Sequence, residues 1–291
     1  MLKDDTARNR RIGIALVCAG TFCFAALDAC AKWLVRELPA TQVVAMRFVF
    51  HALLAVLMLT PVHGRALWHM KNPRLHLLRA AMLGAMTTLN FIALQYLQLA
   101  EAGAIQFSVP ILIAVISALW LGERLDARRW VAVVLGFAGV LLVLRPGTAG
   151  FHPALLLSLM NAIIYAAFNL LTRRMAASES PATMQLVSAA GAALLVLPVG
   201  LAQWQWPAGA LPWTLLVLCG LFGGLGHHAV ATAHRYASAA VLGPFIYLQI
   251  LYMTGFGWLL FAQVPDAWVI GGAIVVVASG LYLLALEMRR G

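Results

Sequence analysis

The stretch YLQLAEAGAIQFSVPILIAVISALWLGERL, residues 96–125, is apolar over most of its length. A helix that spans a bilayer needs about 20 apolar residues, and residues 101–122 meet that requirement with Glu101 as their one charge. Pro110 falls near the middle of this run, where a proline removes a backbone hydrogen bond and clashes with the preceding turn. The stretch therefore predicts a membrane helix that is broken near its middle.

Apolar runs of this kind recur along all 291 residues, of which 63% are hydrophobic and 10% are charged. Soluble domains carry about 25% charged residues, so this composition indicates an integral membrane protein. We expect an all-α membrane protein of ten spans joined by short connections of Pro, Gly and charged residues. The predicted spans are 12–35, 41–62, 76–97, 101–122, 127–145, 152–174, 181–202, 212–234, 237–262 and 266–287.

The distribution of positive charge predicts the orientation of these spans. If the N-terminus is cytoplasmic, most Lys and Arg side chains fall at the cytoplasmic edge, and only Lys32, Arg36 and Arg145 lie toward the outside. Cytoplasmic loops carry such an excess of Lys and Arg, which favours ten spans with both termini inside over nine or eleven. The net charge of +10 belongs to these edges, so we expect no nucleic-acid partner. The first apolar run has features of a signal peptide, but it continues to about residue 35, and we interpret it as the first span.

The chain matches itself at a shift of 140 residues. LGERLDARRW (121–130) falls on FAQVPDAWVI (261–270), and Asp126 thereby meets Asp266. At a shift of 142, PAT at 39–41 meets PAT at 181–183. Five helices in each repeat would make the second repeat enter from the opposite side, as in alternating-access transporters with inverted repeats. The predicted units are a cytoplasmic segment 1–11, repeats at 12–146 and 151–287, and a cytoplasmic tail 288–291.

These features resemble the drug/metabolite transporter superfamily in its ten-helix EamA-type branch, and within it the bacterial amino-acid exporters of the YddG type. The resemblance rests on residues 96–125 with Pro110 and Gly122-Glu123, on 130–144, on PATQVVAMRF with Arg47, and on GPFIYLQIL (243–251). One departure is Gln263, which stands in the second repeat where the first has Glu123. The resemblance implies a multi-pass protein of the bacterial cytoplasmic membrane that exports a small molecule.

Several helices carry polar and aromatic side chains at three- and four-residue spacing, which favours a cavity lined by one face of each. The predicted cavity residues are Phe24, Asp28, Thr87, Asn90, Gln106, Asn161, Tyr165, Asn169, Phe245, Gln249 and Tyr252. Amides and hydroxyls suit the charged groups of a zwitterion, and aromatic rings suit an apolar side chain or a cation. We therefore expect a small amphipathic solute, with amino acids, aromatic ones included, as the leading class. The alternative for each polar residue is an interhelical hydrogen bond without a ligand.

Asp28 and Arg47 are charged residues within the first two spans. At about 1.5 Å per residue both lie roughly 6–7 Å outside the midplane, which predicts a buried ion pair or a shared polar network. A contact to substrate and proton coupling are the alternatives for Asp28. Lys32, one turn farther out, is expected to extend to the outer interface.

Glycines and prolines in the spans predict helix breaks and close packing. We expect Pro110, Gly223, Gly224, Gly243 and Pro244 to act in gating. Helices five and ten hold small residues instead of polar ones, which predicts close packing with neighbours or a homodimer through these helices.

None of the remaining motifs indicates an enzyme. The adjacent His227 and His228 and the four cysteines lack metal-ligand spacing, and we expect no metal, no cofactor and no catalytic group. His51 is expected to be a packed, hydrogen-bonded histidine. Three alternatives to amino-acid transport stay open. They are efflux of organic cations with Asp28 or Glu101 as the anionic contact, a facilitator without ion coupling, and an intramembrane enzyme.

Overall fold

The computed structural model describes residues 6–121 and 126–288, and these contain ten helical segments long and apolar enough to cross a membrane. The predicted ten spans are thereby confirmed, and the described residues include no strand. The helices are α1 (Ala7–Leu34), α2 (Ala40–His63), α3 (Pro73–Tyr96), α4 (Leu99–Gln106), α5 (Val109–Leu121), α6 (Ala127–Leu144), α7 (Ala154–Met175), α8 (Pro181–Ala202), α9 (Ala210–Ala233), α10 (Ala239–Ile246), α11 (Leu248–Phe261) and α12 (Ala267–Met288). Helices α4 and α5 together form the fourth span, and α10 and α11 the ninth. Gly122 and Glu123 lie outside the described residues.

Asp126 and Asp266, which match at the repeat shift, have the same structural role. The Asp126 carboxylate accepts the backbone N–H of Arg129 at 2.9 Å, and the Asp266 carboxylate accepts that of Val269 at 2.9 Å. Each aspartate thus caps the last helix of its half, because a side-chain oxygen at this position satisfies a free N–H of the first turn. The sequence match reflects a repeated helix start.

The same pairs of spans pack together when each span is replaced by its equivalent in the other half of the chain. The first span packs on the eighth (α1 on α9), and its counterpart pair, the sixth and the third (α7 and α3), packs likewise. The second packs on the seventh (α2 on α8), the fourth on the ninth (α4 on α11) and the fifth on the tenth (α6 on α12). In each of these three pairs, the two spans hold equivalent positions in the two repeats. The described helices are therefore related by a pseudo-two-fold axis between the halves.

The spans give the bundle two ends. We call the end where α1 begins and α12 finishes the proximal end, and the opposite end, where α1 finishes, the distal end. An even number of spans returns the chain to the end where it started. The proximal end is the one that the charge distribution predicts to be cytoplasmic.

Small residues of the fifth and tenth spans form a contact within the chain. The Ser279 hydroxyl of α12 donates to the Ala132 carbonyl of α6. A Cβ added at Gly272 would lie 2.7 Å from the Gly139 carbonyl oxygen, so only glycine permits this approach. The opposite faces of α6 and α12 expose large apolar side chains such as Phe137 and Ile274. A homodimer through these faces stays a prediction.

Lys32 does not extend to the outer interface, and that prediction is wrong. Its side chain is 2% exposed, and Nζ donates to the carbonyls of Leu94 and Leu97 at 3.0 and 2.5 Å. Helix α3 finishes at this level, where the last carbonyls of a helix lack intrahelical donors. A cation at that terminus also interacts favourably with the helix dipole. Lys32 therefore caps α3 at the distal end of the bundle.

Candidate functional site: a central cavity between the two halves

A cavity of about 760 Å³ lies between the two halves of the chain. Its lining comes from both broken spans and from α1, α2, α3, α7, α9 and α12, with Arg129 at the start of α6. The fourth span breaks at Phe107 and Ser108, two residues before Pro110, which cannot donate to the Gln106 carbonyl. The ninth span breaks at Tyr247, three residues after Pro244. Both breaks face the cavity, as discontinuous helices of transporters do.

Nine of the eleven residues predicted from spacing line this cavity. They are Phe24, Asp28, Thr87, Asn90, Gln106, Asn161, Tyr165, Asn169 and Gln249. Two of these side chains bond each other across the cavity wall, since the Asn161 amide donates to the Gln106 amide oxygen at 2.8 Å. The Asn169 amide donates to the carbonyl of Tyr165 in its own helix.

Phe245 and Tyr252 do not line the cavity, which corrects their assignment to it. Phe245 packs against a cluster that includes Val17 and Leu242, and the Tyr252 ring lies edge-on to that of Phe22 at 5.5 Å. The break at Tyr247 accounts for Phe245, because a stripe counted through one continuous helix loses its register there. In α11 the cavity face carries Gln249 and Met253, four residues apart.

Asp28 and Arg47 border the same cavity without forming a direct ion pair. In the part of the chain that the structure describes, no contact within 4.0 Å joins their charged groups. Asp28 Oδ1 instead accepts from the Asn90 amide at 2.9 Å, and Arg47 Nη1 donates to the Thr87 hydroxyl at 3.2 Å. Thr87 and Asn90 are three residues apart on α3, hence on one face. The predicted ion pair is replaced by two parallel links to the same helix.

The Arg47 guanidinium retains capacity for a further partner. It lies over the Phe48 ring at 4.2 Å, and its buried Nε has no hydrogen-bond acceptor. Space for it comes from α9, where a Cβ added at Gly223 would lie 3.3 Å from Arg47 Nη2. A Cβ at Gly224 would lie 3.0 Å from the His51 ring. Both glycines lie within the continuous helix α9 and allow it to approach α2, and their role in gating stays a prediction.

Gly243, Pro244 and Pro110 belong to the two broken spans. Gly243 and Pro110 line the cavity, and Pro244 is exposed on α10. Each lies within three or four residues of a break, where a proline or glycine loosens the helix. Their movement as gates stays a prediction.

The cavity also contains residues that spacing did not identify, among them Phe107, Tyr247 and His227. Phe107 and Tyr247 differ by 140 positions, so the repeat shift already aligned them as an aromatic pair. No comparable signal in the sequence identified His227. It is followed directly by His228, and the sequence did not indicate which of the two faces the cavity.

The cavity reaches one end of the bundle and is closed toward the other. Its lining extends to Ser117, Arg173 and His234, which lie near the proximal ends of their spans. Beyond Asp28 on the distal side, Leu34, Leu94 and Leu99 are completely buried in one apolar cluster. The described residues thus give a cavity that is deep from the proximal end and sealed distally.

Glu179 ties two connections together at the proximal end. Oε1 accepts the backbone N–H groups of Lys71 and Asn72, each at 2.9 Å, and Oε2 lies 3.3 Å from His76 Nε2. Burial alone would raise the pKa of Glu179, but these backbone donors and His76 hold it below its usual value. The carboxylate joins the connection before α3 to the connection before α8.

No group of His, Cys, Asp and Glu among residues 6–121 and 126–288 could hold a metal ion.

A pseudo-symmetric ten-span bundle, with a cavity between its halves that several polar side chains line, defines a membrane transport protein. The model of the EamA-like transporter family matches residues 11–145 and 152–286, and the chain belongs to this family of small-molecule transporters.

Curated relatives of the chain are named as transporters, and a solved structure shares its fold. The S-adenosylmethionine uptake transporter of Rickettsia felis is 26% identical over 286 residues, 98% of this chain and 97% of the relative. The pseudopaline exporter CntI of Pseudomonas aeruginosa strain UCBPP-PA14 is 26% identical over 272 residues, 93% of this chain and 95% of the relative. A crystal structure covers 95% of this chain and 98% of its own, with a TM-score of 0.67 and 20% identity, which shows the shared fold.

Proposed function

We propose that the protein is a secondary transporter of small zwitterionic, amphipathic metabolites, amino acids among them, and that it works by alternating access. Its cavity of about 760 Å³ falls within the range of roughly 300–1,000 Å³ usual for small-molecule sites. That volume accommodates an amino acid with a large side chain or a derivative of one.

The observation that carries this proposal is the separation of Asp28 from Arg47 on one cavity wall. Each is held by a neutral side chain of α3, and neither neutralises the other. An isolated charge inside a membrane protein is costly, and such residues usually mark a substrate or ion pathway. An α-ammonium group near Asp28 and an α-carboxylate near Arg47 would satisfy both charges at once. The free Nε of Arg47 supplies a donor for that carboxylate.

The rest of the lining suits the apolar part of such a solute. Rings of Phe24, Phe91, Phe107 and Tyr165 border the cavity together with the amides of Gln106 and Asn161. The relative from Rickettsia felis is named for uptake of S-adenosylmethionine, which is itself an amino-acid derivative. That name supports a zwitterionic solute for this chain as well.

Export is the direction that the resemblance in the sequence implies, and the described conformation agrees with the loading step of an exporter. The lining extends toward the proximal end, which the positive charges predict to be cytoplasmic. In that orientation the described conformation is loaded from the cytoplasm.

The organic-cation alternative loses one of its two anionic contacts. Glu101 accepts the backbone N–H of Gln98 at 2.7 Å and caps α4, away from the cavity. Asp28 remains, but Arg47 borders the same space and repels a lone cation. The geometry therefore favours a solute that carries both charges.

Transport into proteoliposomes tests the proposal. Purified protein should exchange radiolabelled phenylalanine or methionine against unlabelled internal solute, and zwitterionic competitors should inhibit this better than a quaternary ammonium ion. Thr88→Ala should exchange the solute like the original protein, because the Thr88 hydroxyl bonds its own helix and does not line the cavity. Exchange of a quaternary ammonium ion without exchange of any zwitterion would overturn the proposal.

A further inference from the structure

A second, smaller cavity of about 130 Å³ lies beside the central one. Its lining residues are His51, Arg79, Leu83, Phe168, Thr172, Pro181, Met184, Gln185, Ser188, His227 and Ala231. The His227 side chain borders both cavities and separates them. None of the residues proposed to contact the zwitterion belongs to the small cavity.

Arg79 brings a buried positive charge to this small cavity. The residue is only 9% exposed. Nε donates to the Thr172 hydroxyl at 3.0 Å, and Nη1 donates to the Met184 carbonyl at 2.8 Å and to the Ser188 hydroxyl. The guanidinium also lies over the Phe168 ring at 4.3 Å. All of these partners are neutral.

No carboxylate in the described part of the chain pairs with the Arg79 guanidinium. Across residues 6–121 and 126–288, no acidic group lies within 4.0 Å of the Arg79 guanidinium. A buried cation without a counter-ion is strongly unfavourable, and such groups are normally paired or bind an ion. Among the described residues the Arg79 guanidinium thus has no counter-ion, and an anion from solution would provide one.

Two further side chains of the small cavity, those of His51 and Ser188, can each donate a hydrogen bond into it. His51 is 1% exposed, and neither of its ring nitrogens has a hydrogen-bond partner. Its ring stacks on that of His227 at 5.6 Å with an interplanar angle of 9°. The Ser188 hydroxyl accepts from Arg79, so its own proton is available. A buried imidazole without a partner costs free energy, and an N–H directed at an anion would remove that cost.

We propose that the small cavity binds one small monovalent inorganic anion, such as chloride, between Arg79, Ser188 and His51. One guanidinium without a counter-charge matches one negative charge. A volume of about 130 Å³ holds a halide with a few water molecules, since water occupies about 30 Å³ in the liquid. This site does not depend on the identity of the transported solute.

Thermal unfolding of the purified protein tests the site directly. An anion that binds only the folded state raises the melting temperature in a saturable way. At constant ionic strength, we expect sodium chloride or sodium bromide to raise the melting temperature relative to sodium gluconate, with saturation. Ser188→Ala should raise the half-saturating halide concentration about tenfold, because one hydrogen bond to a charged group is lost. Arg79→Gln should abolish the halide effect, and Arg74→Gln, an exposed arginine on the same helix, should leave it unchanged.

Bromide located by anomalous scattering gives a second readout that does not depend on the stability of the variants. The expected result is a bromide peak within hydrogen-bond distance of Arg79 and Ser188. Equal melting temperatures in halide and gluconate, a halide effect that persists in Arg79→Gln, or a small cavity that contains water alone would overturn the proposal.

Discussion

The rings of Phe107 and Tyr247 meet between the two halves of the protein, with centroids 5.1 Å apart and an interplanar angle of 35°. Their positions differ by 140 residues, the shift at which the two halves match. Each residue lies at the break of the fourth span of its own half, and both border the cavity. The pseudo-two-fold axis therefore passes close to this aromatic contact, at the level where the helices are discontinuous.

Removal of either ring should weaken the contact between the halves. A tilted aromatic pair contributes about 0.5–1.5 kcal/mol beyond its buried area. We expect a double-mutant cycle of Phe107→Ala and Tyr247→Ala, measured by chemical unfolding, to give a coupling free energy of that size. Tyr247→Phe keeps the ring and should keep the coupling. Strictly additive single-variant effects would contradict the contact.

Loss of the Lys32 cap should destabilise the distal end. Lys32→Met leaves the buried carbonyls of Leu94 and Leu97 without their donor, which we expect to cost about 1–3 kcal/mol in the free energy of unfolding. The control is Arg36→Gln, one turn along the same segment and exposed. If Lys32→Met lowers the free energy of unfolding no more than Arg36→Gln does, the cap does not contribute to stability.

The contacts of Glu179 predict a specific dependence of stability on pH. Its pKa is held below the usual value near 4.5. The stabilisation is therefore complete above about 4.5 and is lost as the pH falls through the lower folded-state pKa. We expect Glu179→Gln to lower the free energy of unfolding at pH 7 by about 1–3 kcal/mol and to flatten the decline of stability in acid. Parallel acid profiles of the variant and the original protein would contradict this.

A methyl group at Gly223 should disturb the Arg47 guanidinium. The added Cβ would lie 3.1 Å from Leu27 and 3.3 Å from Arg47 Nη2, closer than most such contacts. We expect Gly223→Ala to reduce the transport rate severalfold while the protein still folds, because the substitution displaces a proposed substrate contact. Gly271→Ala is the matched control, since no atom lies within 4 Å of its added Cβ. Equal transport by both variants would contradict the assignment of Arg47.

Local sequence patterns contain enough information for the spans and for most of the cavity wall. Apolar runs of about 20 residues predict spans, and three- and four-residue spacing correctly groups Asn161, Tyr165 and Asn169 on one face of α7. The match of Asp126 to Asp266 has a local cause as well, because each caps the helix that follows it.

Features that depend on two helices at once could not be read from spacing. Depth along the membrane correctly suggested that Asp28 and Arg47 lie at one level, but not that α3 would present Asn90 and Thr87 between them. Lys32 is buried because α3 finishes beside it. Phe245 left the expected face because the ninth span breaks at Tyr247.

The most direct test of the proposed function measures which charges of a solute the cavity recognises. Binding of phenylalanine, of phenethylamine, which lacks the carboxylate, and of hydrocinnamate, which lacks the ammonium group, is compared in the original protein, Asp28→Asn and Arg47→Gln. We predict that the original protein prefers phenylalanine at least about tenfold over each analogue, because each lost charge-assisted contact contributes about 1.5–3 kcal/mol. Asp28→Asn should lose the preference over hydrocinnamate alone, and Arg47→Gln the preference over phenethylamine alone. Preferences that neither substitution changes would contradict the assignment of Asp28 and Arg47 as the zwitterion contacts.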